Sequence, residues 1–154
     1  MLALAASLND ALDAARRLRL ARDQWELKRD TLRAYRLQVG VPLGSLGRMR
    51  GALEQIRDLA GPAPQTLVPL STRLESAAGS LQGVTAPPDL QPTHAVLLSA
   101  HQLATSAVRL RRAAAESGVL ATAKDAAAAA AGALMLLERA REEIERALAP
   151  PELP

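Results

Sequence analysis

The chain has 154 residues, with no cysteine, no phenylalanine, one tryptophan and one tyrosine, and its 19 basic and 16 acidic side chains leave a net charge of +3. That length suits one domain with a sizeable core. The lack of cysteine excludes disulfides, thiol catalysis and thiolate metal sites, and the scarcity of aromatic and β-branched residues argues against strands. The charge is uneven: residues 1–50 hold ten basic and five acidic side chains, a net +5, and the remainder is net −2. Basic character therefore belongs to the first helix.

The expected fold is all-α, an antiparallel four-helix bundle over residues 1–149, built from hairpins 1–84 and 87–149, with a loose C-terminal tail, 150–154. The opening MLALAASL is apolar but has no basic n-region and is too short for a complete signal peptide. An exported or anchored chain would need a segment upstream of Met1.

The first helix is expected from Leu2, or from a cap at Ser7 or Asn9, to Val39. Its apolar positions are Leu4, Leu8, Ala11, Ala14, Leu18, Ala21, Trp25, Leu32, Tyr35 and Val39, spaced by threes and fours along one helical face. Only Lys28 interrupts the stripe. Gly40, Pro42 and Gly44 are expected to end the helix in a turn.

The second helical region is expected from Ser45 to Gly83, with a seam of Leu46, Met49, Leu53, Ile56, Ala60, Ala63, Leu67, Leu70, Leu74, Ala77, Leu81 and Val84. Gly61, Pro62 and Pro64 predict a kink or break within residues 61–64, because proline removes a backbone donor and clashes with the preceding turn. Asp89 is expected to cap the third helix, with Pro92 in its first turn. Its seam is Val96, Ala100, Leu103, Ala107, Leu110 and Ala114, and Gly118 suits a C-terminal cap.

The fourth helix is expected between Val119 and Pro150. It contains twelve uncharged residues, 126–137, reading AAAAAAGALMLL. That run is too short for a bilayer span of roughly 20 residues, and a helix apolar all round is normally buried among others. It is expected to be the surface on which the other three helices close. Arg141 with Glu145 and Glu142 with Arg146 stand at ion-pair spacing. The longer first hairpin is expected to project past the second, or to be covered by another chain.

The chemistry-bearing residues are few. His94 and His101, seven apart on one helix, lack the spacing of a helical metal site, so no metal or cofactor is expected and both are assigned structural hydrogen bonds. No glycine-rich phosphate loop follows a strand, and no serine is positioned with a base; the chain is expected not to be an enzyme. Arg19, Arg22, Arg29, Arg33 and Arg36 share a face of helix one, diluted by Asp23, Glu26 and Asp30. That face is a candidate surface for an anion or a partner, whether nucleic acid, a membrane surface or protein. Trp25 and Tyr35 are candidate interface anchors.

Residues 87–117, PPDLQPTHAVLLSAHQLATSAVRLRRAAAES, and 124–145, KDAAAAAAGALMLLERAREEIE, resemble uncharacterised Ala/Leu-rich helical proteins of high-GC bacteria, many of them exported or membrane-anchored. The resemblance covers the second half of the chain and implies no activity and no site residues. The expected function is non-catalytic: a helical interaction or scaffold module working through a protein partner or self-association. The alternatives are binding of anionic polymers or membrane surfaces through the arginine face, and a small-ligand-sensing bundle with a pocket near residues 61–64.

Overall fold

The computed structural model describes residues 2–152, with side-chain surroundings from residue 6 onward. The elements are α1 (Leu2–Arg48), α2 (Arg50–Arg57), α3 (Pro64–Gln82), a short 3-10 turn (Pro88–Leu90), α4 (Gln91–Ser117) and α5 (Leu120–Leu148). No strand occurs among the described residues.

Helix α1 does not stop at Val39. It runs on through Pro42 to Arg48. Proline inside a helix costs about 3 kcal/mol. Leu43, Leu46 and Met49 lie beyond it and are 5, 1 and 1% exposed. Burying each contributes about 1.5–3 kcal/mol, so a turn that pulled all three off the core would lose more than the proline costs. The one irregularity comes at Met49, whose N–H donates to the Leu46 carbonyl at 3.1 Å, three residues back, before Leu53 resumes the helical pattern by donating to Met49 at 2.9 Å. Helices α1 and α2 thus follow one another with a single residue between them.

Residues 58–63 are non-helical. Ala60 donates to the Gln55 carbonyl at 2.9 Å, closing the end of α2. Leu59 sits at φ 58° and Gly61 at φ 146°. Ala60 and Ala63, expected in the apolar seam, are exposed in this turn. Pro64 occupies the first turn of α3, where a missing N–H costs little. The buried stripe then resumes as Leu67, Leu70, Leu74, Ala77 and Leu81.

The start of α4 departs from expectation. Asp89 makes no capping bond there. Its carboxylate pairs with Lys28 at 2.7 Å instead, which explains why a lysine interrupts the stripe of α1. Gly118 ends α4 in the left-handed conformation at φ 70°, its N–H donating to the Ala114 carbonyl at 2.9 Å. The chain then turns into α5, and α4 with α5 forms the most extensive interhelical contact. α5 also meets α2 and α1, and α3 meets α4 and α1.

Alanine fills much of the buried side of α4 and of α5. Ala100, Ala104, Ala107 and Ala114 of α4 and Ala126, Ala130, Ala133 and Ala140 of α5 are buried. Their small side chains let the backbones approach. The run 126–137 is nevertheless not enclosed on all sides: Ala128 and Ala131 are exposed, and Met135 is 66% exposed. Only one stripe of α5 faces the core, so it is not the central surface expected from its composition. α5 as a whole is long and apolar enough to cross a membrane by length and composition. Core helices meet the same criterion. The expected pairs of Arg141 with Glu145 and Glu142 with Arg146 do not form; Arg139 pairs with Glu143 instead, at 2.7 Å.

Gly132 marks the close approach. A Cβ there would lie 2.9 Å from Cδ1 of Leu103. That methyl is the far end of a flexible side chain, and alanine is favoured over glycine in a helix by about 1 kcal/mol. Gly132→Ala should therefore leave stability within about 1 kcal/mol of the parent. Gly132→Leu should lose about 1–3 kcal/mol by overpacking, measured by urea unfolding.

Candidate functional site

The apolar stripe of α1 continues into the core as Leu32, Tyr35 and Val39, all buried. Among the described residues nearer the N-terminus it is covered only in part. Ala11 is exposed, and Ala14, Leu18, Ala21 and Trp25 are only partly covered. Leu8, Leu12, Leu20 and Leu27 are 65, 48, 59 and 86% exposed. Leu4 of the stripe lies outside the residues whose side chains are described. About 20 residues of α1 therefore extend past the other helices, roughly 30 Å at 1.5 Å per residue.

The base of this arm is fixed by polar contacts. Trp25 donates its indole N–H to the Ala147 carbonyl at 3.1 Å. Arg22 donates through Nε to the Pro151 carbonyl at 3.1 Å, so the tail is tied to α1 at Pro151; residues 153 and 154 lie outside the described range. A cavity of about 230 Å³ lined by Ala21, Trp25, Leu32, Asp89 and Ala147 sits at this junction.

The five arginines of the expected basic face do not act alike. Arg19 and Arg33 are exposed, and Arg22 is held by the tail. Arg29 pairs with Glu26 at 2.9 Å and meets Asp30 at 3.5 Å. Arg36 turns into a cleft of about 220 Å³ shared with Arg141 and Glu145 of α5. Of the two aromatic candidates, Trp25 stays half-buried at the arm's base, whereas Tyr35 is 2% exposed and belongs to the chain's own core. Tyr35 is thus no interface anchor: burial against its own helices leaves nothing for a partner.

Both histidines make hydrogen bonds. Tyr35 Oη lies 3.0 Å from His94 Nδ1, with the rings edge to face at 5.8 Å between centroids. Burial pushes the Tyr35 phenol up to about 12 and holds the His94 imidazole below its ordinary value. His101 is buried, and its Nε2 donates to the Leu74 carbonyl at 2.7 Å. Thr93 donates to Glu143 at 2.8 Å, and Arg139 with Thr93 keeps that carboxylate below the usual range. These bonds join residues 27 to 59 apart in sequence. Only the presence of polar groups inside apolar seams hinted at them.

An open apolar depression of about 460 Å³ borders the 58–63 turn, lined by Ala52, Gln55, Pro62, Thr66, Pro69 and Leu70 among others. Among the described residues no three histidine, aspartate or glutamate side chains converge as a metal-holding group. Comparison with protein-family models, curated proteins and solved structures finds no match to this chain.

Proposed function

We propose that the chain is a non-catalytic, self-associating interaction module. α1 and α2 together act as the first member of an antiparallel four-helix bundle, with α3, α4 and α5 as the others. The bundle holds the N-terminal arm of α1 out for a helix of a second copy. The observation that carries this reading is the half-used seam of α1: a stripe buried from Leu32 inward, partly covered at Trp25 and Ala21, and left largely open toward Leu8 and Ala11. Exposed apolar side chains along the arm stay in water in the single chain, and a partner helix would supply the missing burial.

Charge favours an antiparallel second copy. Residues 2–13 contain Asp10 and Asp13 and no basic side chain, whereas Arg16, Arg17, Arg19 and Arg22 follow within nine residues. Antiparallel overlap sets each arm's acids against the other's arginines. The competing reading, an anionic polymer or membrane surface held by the arginine face, is weakened where Arg16 and Arg29 already hold carboxylates.

Sedimentation equilibrium tests the proposal. The parent is expected at twice the 16.2 kDa chain mass. A Leu8→Glu/Leu18→Glu double variant should sediment as a monomer with undiminished helicity, because both side chains lie outside the core. A parent that stays monomeric at high micromolar concentration would refute self-association.

A further inference from the structure

We propose that the cleft between the middle of α1 and the end of α5 binds a small phosphate-type oxyanion. Arg36 from α1 and Arg141 from α5 line it, together with Gly40, Leu43, Gly44, Ile144 and Glu145. Arg141 stands four residues before Glu145, at the spacing of a helical ion pair, yet forms none. Its guanidinium lies across Gly47 instead, where any Cβ would collide with it. Arg36 reaches along its own helix toward Gly40, its Nη1 3.4 Å from where a Cβ would stand. Arg48 folds back toward Gly44 in the same way, at 3.6 Å.

Among the described residues none of these three arginines has a carboxylate within ion-pair distance, whereas Arg50 pairs with Glu138 and Arg139 with Glu143. Glycines at 40, 44 and 47 thus leave room for unpaired guanidinium forks on one stretch of α1. Planar forks suit oxyanions with two or more terminal oxygens, which they bind in pairs of parallel bonds. The buried Leu43 and Ile144 lower the local dielectric and strengthen the attraction. A volume of about 220 Å³ suits inorganic phosphate or pyrophosphate and not a polymer strand. Glu145, the one carboxylate on the rim, opposes the anion and limits affinity.

Isothermal calorimetry with inorganic phosphate and with pyrophosphate, at fixed ionic strength in chloride, tests the site on the full chain. Saturable binding of one anion per chain is expected. Arg141→Gln and Arg36→Gln should each weaken it about tenfold or more, the scale of a lost charge-assisted hydrogen bond. Gly47→Ala should weaken it too, by displacing Arg141. Glu145→Gln should tighten it several-fold, a gain that a misfolded variant cannot mimic. Arg33→Gln, exposed on the same helix outside the cleft, should leave it unchanged. No saturable binding to the parent, or equal loss in Arg33→Gln and Arg141→Gln, would overturn the proposal; so would unchanged affinity in Glu145→Gln.

Discussion

Ala130→Glu is expected to destabilise the protein severely at neutral pH. Ala130 is 0% exposed, on the core stripe of α5. A glutamate there would face two penalties. Its volume would force the surrounding helices apart, at about 1–3 kcal/mol. Its carboxylate would be buried without a partner or would have to take up a proton, at several kcal/mol more. The sum, about 4 kcal/mol or more, is a large share of the 5–15 kcal/mol that holds a domain of ordinary stability. Ala128→Glu, two residues earlier and solvent-facing, should change stability by no more than about 0.5 kcal/mol. Ala129→Glu, at a partly buried position, should fall between. Thermal and urea unfolding followed by far-ultraviolet circular dichroism reads all three. If Ala130→Glu melted within a few degrees of Ala128→Glu, Ala130 would not lie on the core stripe of α5.

That contrast also marks how far the sequence could be read. Helicity was legible outside the 58–63 turn, and so was the seam of residues 32–56, whose positions spaced by threes and fours are those the core buries. In α4 the expected Val96, Leu103 and Leu110 are only partly buried, and Leu97, Ala104 and Val108 enter the core beside the expected alanines. The run 126–137 was not legible in detail, because six consecutive alanines carry no hydrophobic period and 128, 129 and 130 look alike. Pro42 misled for a different reason. Local propensity says stop, but the three large side chains beyond it outweigh the proline, and that balance depends on tertiary burial. Lys28 looked like a defect in the stripe until Asp89, 61 residues away, supplied its partner. At the candidate surfaces, the basic face of α1 was visible as spacing. Its division into a paired arginine (Arg29), a tail-bound one (Arg22) and one turned into a cleft (Arg36) was not. Arg141 shows why: sequence spacing assigns it to Glu145, and only the missing side chain of Gly47, on another helix, lets it go elsewhere.

The Tyr35 and His94 pair should make stability fall at both ends of the pH scale. Tyr35 is 2% exposed and its hydroxyl lies 3.0 Å from His94 Nδ1. In the neutral pair the phenol donates and Nδ1 accepts, which places the imidazole proton on Nε2. Burial resists charge on both groups. It raises the phenol from 10.0 to about 12 and lowers the imidazole from 6.5. As pH rises past 10 the unfolded chain loses a phenolic proton that the folded chain keeps, so stability declines until the folded value near 12 is passed. Two pH units correspond to about 3 kcal/mol. As pH falls below 6.5 the unfolded chain takes up an imidazole proton that the folded chain refuses, and stability declines again. Between these limits the pair contributes a plateau. Tyr35 is the only tyrosine in the chain, so phenolate absorbance titrates it without interference from any other. The midpoint should lie near 12 while the helices persist and near 10 in concentrated urea. Tyr35→Phe should abolish the alkaline decline assigned to this group. It should also lower the plateau by about 1–3 kcal/mol, since it leaves Nδ1 without its donor. A folded-state midpoint near 10 would mean that the phenol is solvated and that the contact with His94 does not anchor α1 to α4.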